Sequence, residues 1–473
     1  MQIELETLTQ QVLKKISPTP EEYCKVEVLS KQLKQKLLDA CKQQNVKATV
    51  RVEGSIAKDT WLKENPDIDI FIRLPTTISR EKLGEIGLKI ARSVTQNATH
   101  VTERFAEHPY LEITINEMRV DIVPCFNAAI GEWQSATDRT PYHTNYIRQH
   151  LTPKMREETR LLKQFMKCIN VYGAEIKIGG FSGYLCELLI LTFGSFVQTV
   201  QAFANYNKRL VIDPQRHFAD KEKDVVTLFS EPLVIVDPVD KARNVASAVQ
   251  AEKLYSFIGA SRAFLQNPSE IFFFAPKQSA LDTDDLKCMM NNHGSSLLFL
   301  VTGGIDAVPD VFWGQFYKSR RSLRKLLEFN GFKVFRDAVW SNEKSFNVFI
   351  FKLEQLIIAD VKKHFGPPLE CSDECAHFLA KYTKNSQTVA GPYIEDGKWV
   401  VEITRKNVNA LSFLREKLVD GGKNVGVSEL FAKAFNEGFT VFDSNGIIQI
   451  YSEYRDFACF LSRFLLGKTD WLK

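Results

Sequence analysis

Six residues, Asp67-Ile-Asp-Ile-Phe-Ile72, constrain this chain more than any other stretch. Their alternation has the two-residue period of a β-strand, so Ile68 and Ile70 turn toward a core while Asp67 and Asp69 share the opposite face. Neighbouring carboxylates repel, and they are tolerated most easily where divalent cations neutralise them; hard oxygen donors with room left for phosphates suit Mg²⁺. Gly54-Ser55 stands eleven residues before Pro66, after the alternating run Ala48-Thr-Val-Arg-Val-Glu53. Gly54 allows a tight turn, and Ser55, opening a helix, offers a hydroxyl and N–H groups to a phosphate. A third carboxylate, Asp121, lies in Arg119-Val-Asp-Ile-Val-Pro124, anchored by Val120 and Ile122. Three such groups complete the donor set of a phosphoryl-transfer site holding two metals roughly 3.5–4 Å apart. The competing reading makes all three solvated surface acids. The Gly-Ser turn and the apolar interleaving favour the metal site.

Around this site the periodicity switches between two and 3.6. Thr19-Pro-Glu-Glu22 predicts a helix with a capping threonine, proline at its first position and a glutamate to complete a capping box; Val26, Leu29, Leu33 and Leu37 mark its buried face. A helical stretch from Ser79 to Gln96 precedes three strand-like runs, Val101 to Phe105, Tyr110 to Ile115 and Met118 to Val123, the last two joined at Asn116-Glu117. From Thr152-Pro153 the spacing is helical, through Leu161, Leu162, Phe165, Met166 and Ile169 to an apolar helix from Tyr184 to Val200. After a break at Asn267-Pro-Ser269 come strand-like Ile271 to Phe274 and Leu297 to Val301, a helix from Phe316 to Phe329, and strands Lys333 to Val339 and Phe346 to Leu353. That order fits an antiparallel sheet backed by helices. The expected fold class is α+β, multidomain: a mixed α/β head over 1–152, a mainly helical central domain over 153–266, and an α+β body and tail over 267–473.

Composition narrows the functional classes. Lys and Arg number 61 against 57 Asp and Glu, a net charge of +4, so nucleic-acid binding must rest on local patches. Met1-Gln-Ile-Glu-Leu-Glu6 carries acids where a secretory signal carries bases, and Leu188 to Phe196, the longest apolar stretch, is far short of the roughly 20 residues that span a bilayer. A cytoplasmic protein without a membrane partner is expected. Nine cysteines, scattered from Cys24 to Cys459, suit reduced thiols; Cys371, Cys375 and His377 cluster, but with no second cysteine pair nearby they read as ordinary side chains and not as a zinc site.

Gly54-Ser55-x-x-Lys58-x-Thr60-Trp61-Leu62, Asp67-Ile-Asp69-Ile-Phe71 and Val120-Asp121-Ile-Val-Pro124-Cys125 resemble the catalytic head of the archaeal, class I CCA-adding enzymes, a branch of the polymerase β-like nucleotidyltransferase superfamily. Further blocks agree in the same order: Asp138-Arg-Thr-Pro-Tyr-His143, Arg160-Leu-Leu-Lys163, Tyr172-Gly-Ala-Glu175, Gly179-Gly-Phe-Ser-Gly-Tyr-Leu-Cys-Glu-Leu-Leu189, Val236-Asp-Pro-Val-Asp240 with Arg243-Asn-Val-Ala246, and Gly422-Lys-Asn-Val-Gly426. The resemblance implies a tRNA nucleotidyltransferase that adds C, C and A to the tRNA 3′ end from CTP and ATP without a template, through attack of the terminal 3′-hydroxyl on the α-phosphate and release of pyrophosphate. It implies that Asp67, Asp69 and Asp121 are catalytic and hold Mg²⁺. Ser55, Lys58, His143, Lys163 and Tyr172 match positions that contact the incoming nucleotide, and Arg243 matches an arginine associated with the base. A homodimer is what the family suggests. Two positions depart from the pattern: Lys58 stands where arginine is frequent and Asp59 where glycine is frequent, so Lys58 acts as a point charge without arginine's bidentate fork.

Each of these side chains also has a plainer role open to it. His143 follows Pro141 as a turn histidine would, Lys163 would ordinarily be a solvated helix lysine, Tyr172 could end a helix by packing its ring, and Arg243 could pair with Asp237 or Asp240. In the C-terminal half, Lys318, Arg320, Arg321, Arg324 and Lys325 place five bases on one expected helix with no acid among them, a candidate for RNA phosphate contacts or else a solvated face. Phe272-Phe-Phe274 reads as core and not as a base-stacking platform. A related enzyme such as a poly(A) polymerase, or a non-catalytic RNA-binding relative, would share much of this pattern; the intact carboxylates argue against the second.

Overall fold

The alternating Asp67 strand is a central element of a five-stranded sheet. The computed structural model describes residues 2–472 apart from 65, 106, 220–221 and 277–278, and the chain divides into two compact units, residues 1–276 with 469–473, and residues 277–468. In the first unit the strands β1 (Thr49–Glu53), β2 (Asp67–Leu74), β3 (His100–Phe105), β4 (Pro109–Ile115) and β5 (Met118–Phe126) lie in the order β1-β2-β5-β4-β3. Only β2 and β5 are parallel; the other neighbours are antiparallel. The β4–β5 hairpin turns at Asn116 and Glu117, both at positive φ, 50° and 65°, as a two-residue turn matched to strand twist requires.

Helices α1 (Gln2–Ile16) and α2 (Pro20–Gln43) precede the sheet, a single turn α3 (Gly54–Lys58) links β1 to β2, and α4 (Arg80–Ala91) continues as a 3₁₀ turn to Asn97. The capping box opens α2 as expected: the Thr19 amide donates to Glu22 Oε2 at 2.7 Å and the Glu22 amide to Thr19 Oγ1 at 3.3 Å. Ile68, Ile70, Val120, Ile122, Leu111 and Ile113 pack under the sheet against Leu29, Leu33 and Leu37 of α2 and Leu83 and Ile90 of α4. The inward half of the period-two pattern is therefore buried, which leaves the acidic half on the opposite face.

Helices α5 (Thr140–His150), α6 (Pro153–Cys168), α7 (Gly183–Phe193) and α8 (Phe196–Ala204) follow. The single helix expected from Tyr184 to Val200 is two helices meeting at 90°. Gly194 takes φ +90° and ends the first, and Ser195 caps the second by accepting the Gln198 amide at 3.2 Å. The region also holds a small sheet, β6 (Leu210–Ile212), β7 (Leu233–Asp237) and β8 (Asp240–Asn244), with helices α9 (Glu222–Leu228) and α10 (Ala251–Gln266). Ile271 to Phe274 is not a strand: Glu270–Phe272 is a 3₁₀ turn, and Phe272 and Phe273 join Phe165, Phe196 and Phe264 in one aromatic core. Burying each ring contributes about 1.5–3 kcal/mol whatever the backbone does, so apolarity alone did not specify a strand.

The second unit opens with α11 (Thr283–Asn292) and is built on an antiparallel sheet, β10 (Val334–Ser341), β11 (Phe346–Leu353), β9 (Ser296–Gly303) and β15 (Phe439–Phe442) in that order, with α12 (Pro309–Phe329) against it. Both faces are covered. Leu298, Leu300, Phe349 and Phe351 pack with Phe316 and Leu323 of α12, while Leu297, Phe299, Val348 and Ile350 pack with Phe457 and Leu461. A second sheet, β12 (Val361–Pro368), β14 (Lys398–Thr404) and β13 (Thr388–Glu395), carries the helix Ser372–Tyr382, in which Cys375 Sγ donates to the Pro368 carbonyl at 3.3 Å and His377 Nδ1 bonds the Asp373 carbonyl at 2.7 Å. Among the described residues no single helix is long and apolar enough to cross a membrane.

Candidate active site

Strand pairing sets four acids side by side. Glu53 of β1 lies opposite Asp69 of β2, Asp69 opposite Asp121 of β5, and Asp121 opposite Glu112 of β4. Asp67 sits one pleat away, opposite Arg119. Residues in register share a face, so the row runs across four adjacent strands on the side turned away from the core. Gly54 is pressed against it. It takes φ +67°, and a methyl group added there would lie 1.7 Å from Asp69 Oδ2, so only glycine fits between the turn and that carboxylate.

Burial raises the Asp69 carboxyl to about 7, with the charges of Asp121 and Asp67 pushing the same way. Burial raises Asp67 as well, and raises Asp121 despite a hydrogen bond from Arg119. Arg119 reaches Asp121 through Nε at 3.3 Å and a terminal nitrogen at 2.8 Å, and Glu112 Oε2 at 3.1 Å; Arg104 holds the other Glu112 oxygen at 3.0 Å. Glu53 is paired with Arg51 at 2.7 Å. The acids at the rim thus have protein cations, and the two on β2 have none within ion-pair distance among the described residues. A set of three carboxylates in which burial, with repulsion from neighbouring acids, disfavours ionisation is chemically suited to a hard divalent cation. Among the described residues no three His, Cys, Asp or Glu side chains already converge closely enough to hold an ion.

Four of the nucleotide candidates, Lys58, Lys163, His143 and Arg243, gather around two other carboxylates: Glu187, which sequence reasoning did not single out, and Asp237, expected only as a possible partner of Arg243. Glu187 of α7 is fully buried. Its Oε2 accepts from Lys58 Nζ at 2.5 Å, and its Oε1 from Thr60 Oγ1 at 2.6 Å and Lys163 Nζ at 3.2 Å; Lys163 also donates to Thr60 Oγ1 at 2.8 Å. Burial alone would raise the Glu187 carboxyl, but the two ammonium groups outweigh it and hold it below the usual range, while burial lowers Lys163. Tyr172 points its hydroxyl at the start of α7, where a Cβ on Gly183 would lie 3.0 Å from it and 3.5 Å from Lys163 Nζ. Two cations against one anion leave this knot net positive.

Asp237, also fully buried, organises the second group. His143 Nε2 meets its Oδ2 at 2.8 Å and Arg243 donates to the same oxygen at 2.7 Å, while the Tyr184 hydroxyl and the Val239 amide donate to Oδ1 at 3.2 and 3.1 Å. Burial pushes His143 below its ordinary value, against the pull of Asp237, which favours the neutral ring with Nε2–H facing that carboxylate. Arg243 therefore takes the structural pairing with Asp237; Asp240 is engaged by Arg139 at 2.8 Å. Tyr184 joins the knots, stacked on His143 at 4.1 Å between ring centres with Lys58 Nζ 5.7 Å from its own. A lone glutamate inside the apolar run Leu185-Cys186-Glu187-Leu188-Leu189 was the available signal, since a charge there demands a buried partner.

In the second unit the five bases on α12 divide. Lys318, Arg321 and Lys325 are exposed, and they align at helical spacing with Phe329, which is 90% exposed. Arg320 and Arg324 reach Asp337 of β10 at 3.3 and 2.8 Å, and Arg324 also pairs with Glu328 at 3.0 Å.

Three family models match successive parts of the chain: the nucleotidyltransferase domain over residues 34–143, the second domain of tRNA nucleotidyltransferase over 157–274, and the C-terminal domain of the CCA-adding enzyme over 293–443. The CCA-adding enzyme of Methanosarcina barkeri is 36% identical over 456 residues, 96% of this chain and 97% of that one. The chain belongs to the CCA-adding enzyme family. The family's member from Methanothermobacter thermautotrophicus is 34% identical over 423 residues, 88% of this chain and 90% of its own. Among solved structures, the Cid1 terminal uridylyl transferase overlaps 58% of this chain and 99% of its own at 15% identity and a TM-score of 0.47, too loose an overlap to bear on function. As a member of the CCA-adding family the chain is a nucleotidyltransferase, and its expected α+β, multidomain architecture is the one observed.

Proposed function

We propose that this enzyme completes the 3′ end of tRNA by adding C, C and A from CTP and ATP without a template. The observation that carries the reading is the in-register pair Asp69 and Asp121 with Gly54 pressed against Asp69, flanked by the net-positive knot at Glu187. In this reading Asp67, Asp69 and Asp121 hold Mg²⁺, which when bound supplies charge neutralisation for the attacking 3′-hydroxyl and the departing pyrophosphate. Asp121 must first exchange Arg119, and Glu112 already offers that guanidinium an alternative partner. Ser55, Lys58, Lys163 and Tyr172 bind and orient the triphosphate and ribose; His143, its Nε2–H engaged by Asp237, offers Nδ1 as an acceptor to a ribose hydroxyl, and Arg243, braced on Asp237, faces the base. Lys318, Arg321 and Lys325 contact tRNA phosphates, with Arg320 and Arg324 braced through Asp337.

The same reading divides the chain into a catalytic head (1–152), a central domain completing the nucleotide pocket (153–266) and a tRNA-binding body and tail (267–473). It extends to a cytoplasmic location and a homodimer, which sedimentation velocity checks. The direct test is incubation with tRNA lacking its CCA end, Mg²⁺ and labelled nucleotides. The reading requires two C residues with CTP alone, one further A when ATP is added, and then arrest. An open-ended A tail would put the enzyme among the poly(A) polymerases instead.

A further inference from the structure

Asp59 ends α3, a single turn of five residues with Ser55 near its start and Lys58 as its last residue. One turn of helix has no stability of its own, so whatever fixes its end fixes Lys58. Asp59 takes φ +56°, a left-handed conformation that Asp tolerates better than most side chains. Its carboxylate is then gripped from two other helices. Oδ1 accepts from Arg160 at 2.5 Å and from the Tyr23 hydroxyl at 2.5 Å, and Oδ2 from Arg156 at 3.4 Å. Arg160 also donates to the carbonyls of Asp59 at 2.9 Å and Trp61 at 3.0 Å and to the Tyr23 oxygen at 2.8 Å, and the Tyr23 ring meets Trp61 edge-on at 5.2 Å. Tyr23 belongs to α2 and both arginines to α6, so two helices are pinned at one end of a five-residue turn.

We propose that the Asp59–Arg160–Tyr23 clamp is a positioning device for the nucleotide site, fixing the end of α3 so that the Lys58 ammonium is held at Glu187 and presented to the triphosphate. This rests on the reading of Lys58 as a triphosphate ligand. The two departures from the family pattern then belong together. A lysine is a point charge on a flexible stem and depends on its anchor more than a planar arginine fork does, and the carboxylate at the next residue supplies that anchor. Burial and the bond to Asp59 push the Tyr23 phenol up to about 12, so it remains a donor at neutral pH.

Asp59→Gly isolates the carboxylate, because glycine adopts φ +56° without strain, and Asp59→Asn keeps an acceptor for both Arg160 and Tyr23. Nucleotide KM and kcat are measured with CCA-lacking tRNA, alongside hydrogen exchange of the amides from Ile56 to Thr60. The clamp requires D59G to raise nucleotide KM about tenfold with kcat changed little, and to speed exchange across that turn, since the lost interaction is a uniform binding term. D59N recovers most of both. A D59G enzyme with wild-type KM overturns the proposal, whether or not exchange changes. Lys58→Met in the same assay separates the two claims: KM raised by K58M but not by D59G removes the clamp alone, and KM unchanged in K58M removes the reading of Lys58 and the clamp with it.

Discussion

The molecule buries carboxylates in two ways. On the sheet, Asp67, Asp69 and Asp121 lie together, and burial raises all three, with neighbouring acids adding to it. Away from that sheet, Glu187 of α7 and Asp237 of β7 are fully buried yet held below the usual range, because Lys58, Lys163, His143 and Arg243 surround them. An acid already neutralised by its own chain positions other groups. An acid left short of charge is a place for something that arrives with the substrate.

Replacing one acid from each set should separate these roles most sharply. Asp69→Asn is expected to abolish nucleotide incorporation, by a factor on the order of 10³ or more, while tRNA binding is kept and metal-free stability is unchanged or higher, because a neutral amide relieves repulsion. Glu187→Gln should do the reverse to stability. It leaves two buried ammonium groups without an anion, a loss of about 3 kcal/mol that differential scanning calorimetry would register as a melting midpoint roughly 8 °C lower. An E187Q protein as stable as wild type would remove the distinction.

A smaller effect tests the Asp237 knot. His143 has a folded pKa below its ordinary value of 6.5, so the unfolded chain binds more protons below that pH. Its contribution to stability is complete above about pH 6.5 and is lost as pH falls toward the folded value. The groups facing it are Asp237, Arg243, Lys58 and Tyr184. His143→Gln should therefore flatten the fall of stability as pH drops below 6.5, measured by urea unfolding, whereas an unchanged slope would mean the ring is not held neutral.

The smallest effect concerns the second unit. Lys325→Ala is expected to lower the slope of log tRNA affinity against log salt by about 0.7–0.9, and Arg324→Ala to leave that slope nearly unchanged because its guanidinium is engaged with Asp337. Equal changes in both would return all five bases to one surface.

What could be read in advance followed range of interaction. The strand at Asp67, the capping box at Thr19 and the turn at Asn116-Glu117 depend on neighbours a few residues apart, and each is present. The row of acids was half legible: the period-two pattern placed Asp67 and Asp69 on one face, but the register that sets Asp121 beside Asp69, and Glu112 beyond it, is made by pairing between distant strands. Glu187 stood in view without its partners, because Lys58 lies 129 residues away. The same limit hid Asp337 behind Arg320 and Arg324, and the apolar run at Phe272 gave no period long enough to tell a strand from a 3₁₀ turn.

The contrast between the two sets of acids is tested most directly by thermal unfolding of wild type and Asp69→Asn, with and without Mg²⁺ and a CTP analogue that cannot be transferred. The account predicts that metal with nucleotide raises the wild-type midpoint, that the shift is largely lost in D69N, and that D69N without metal melts at or above the wild-type temperature. An equal Mg²⁺-dependent shift in both proteins would contradict it.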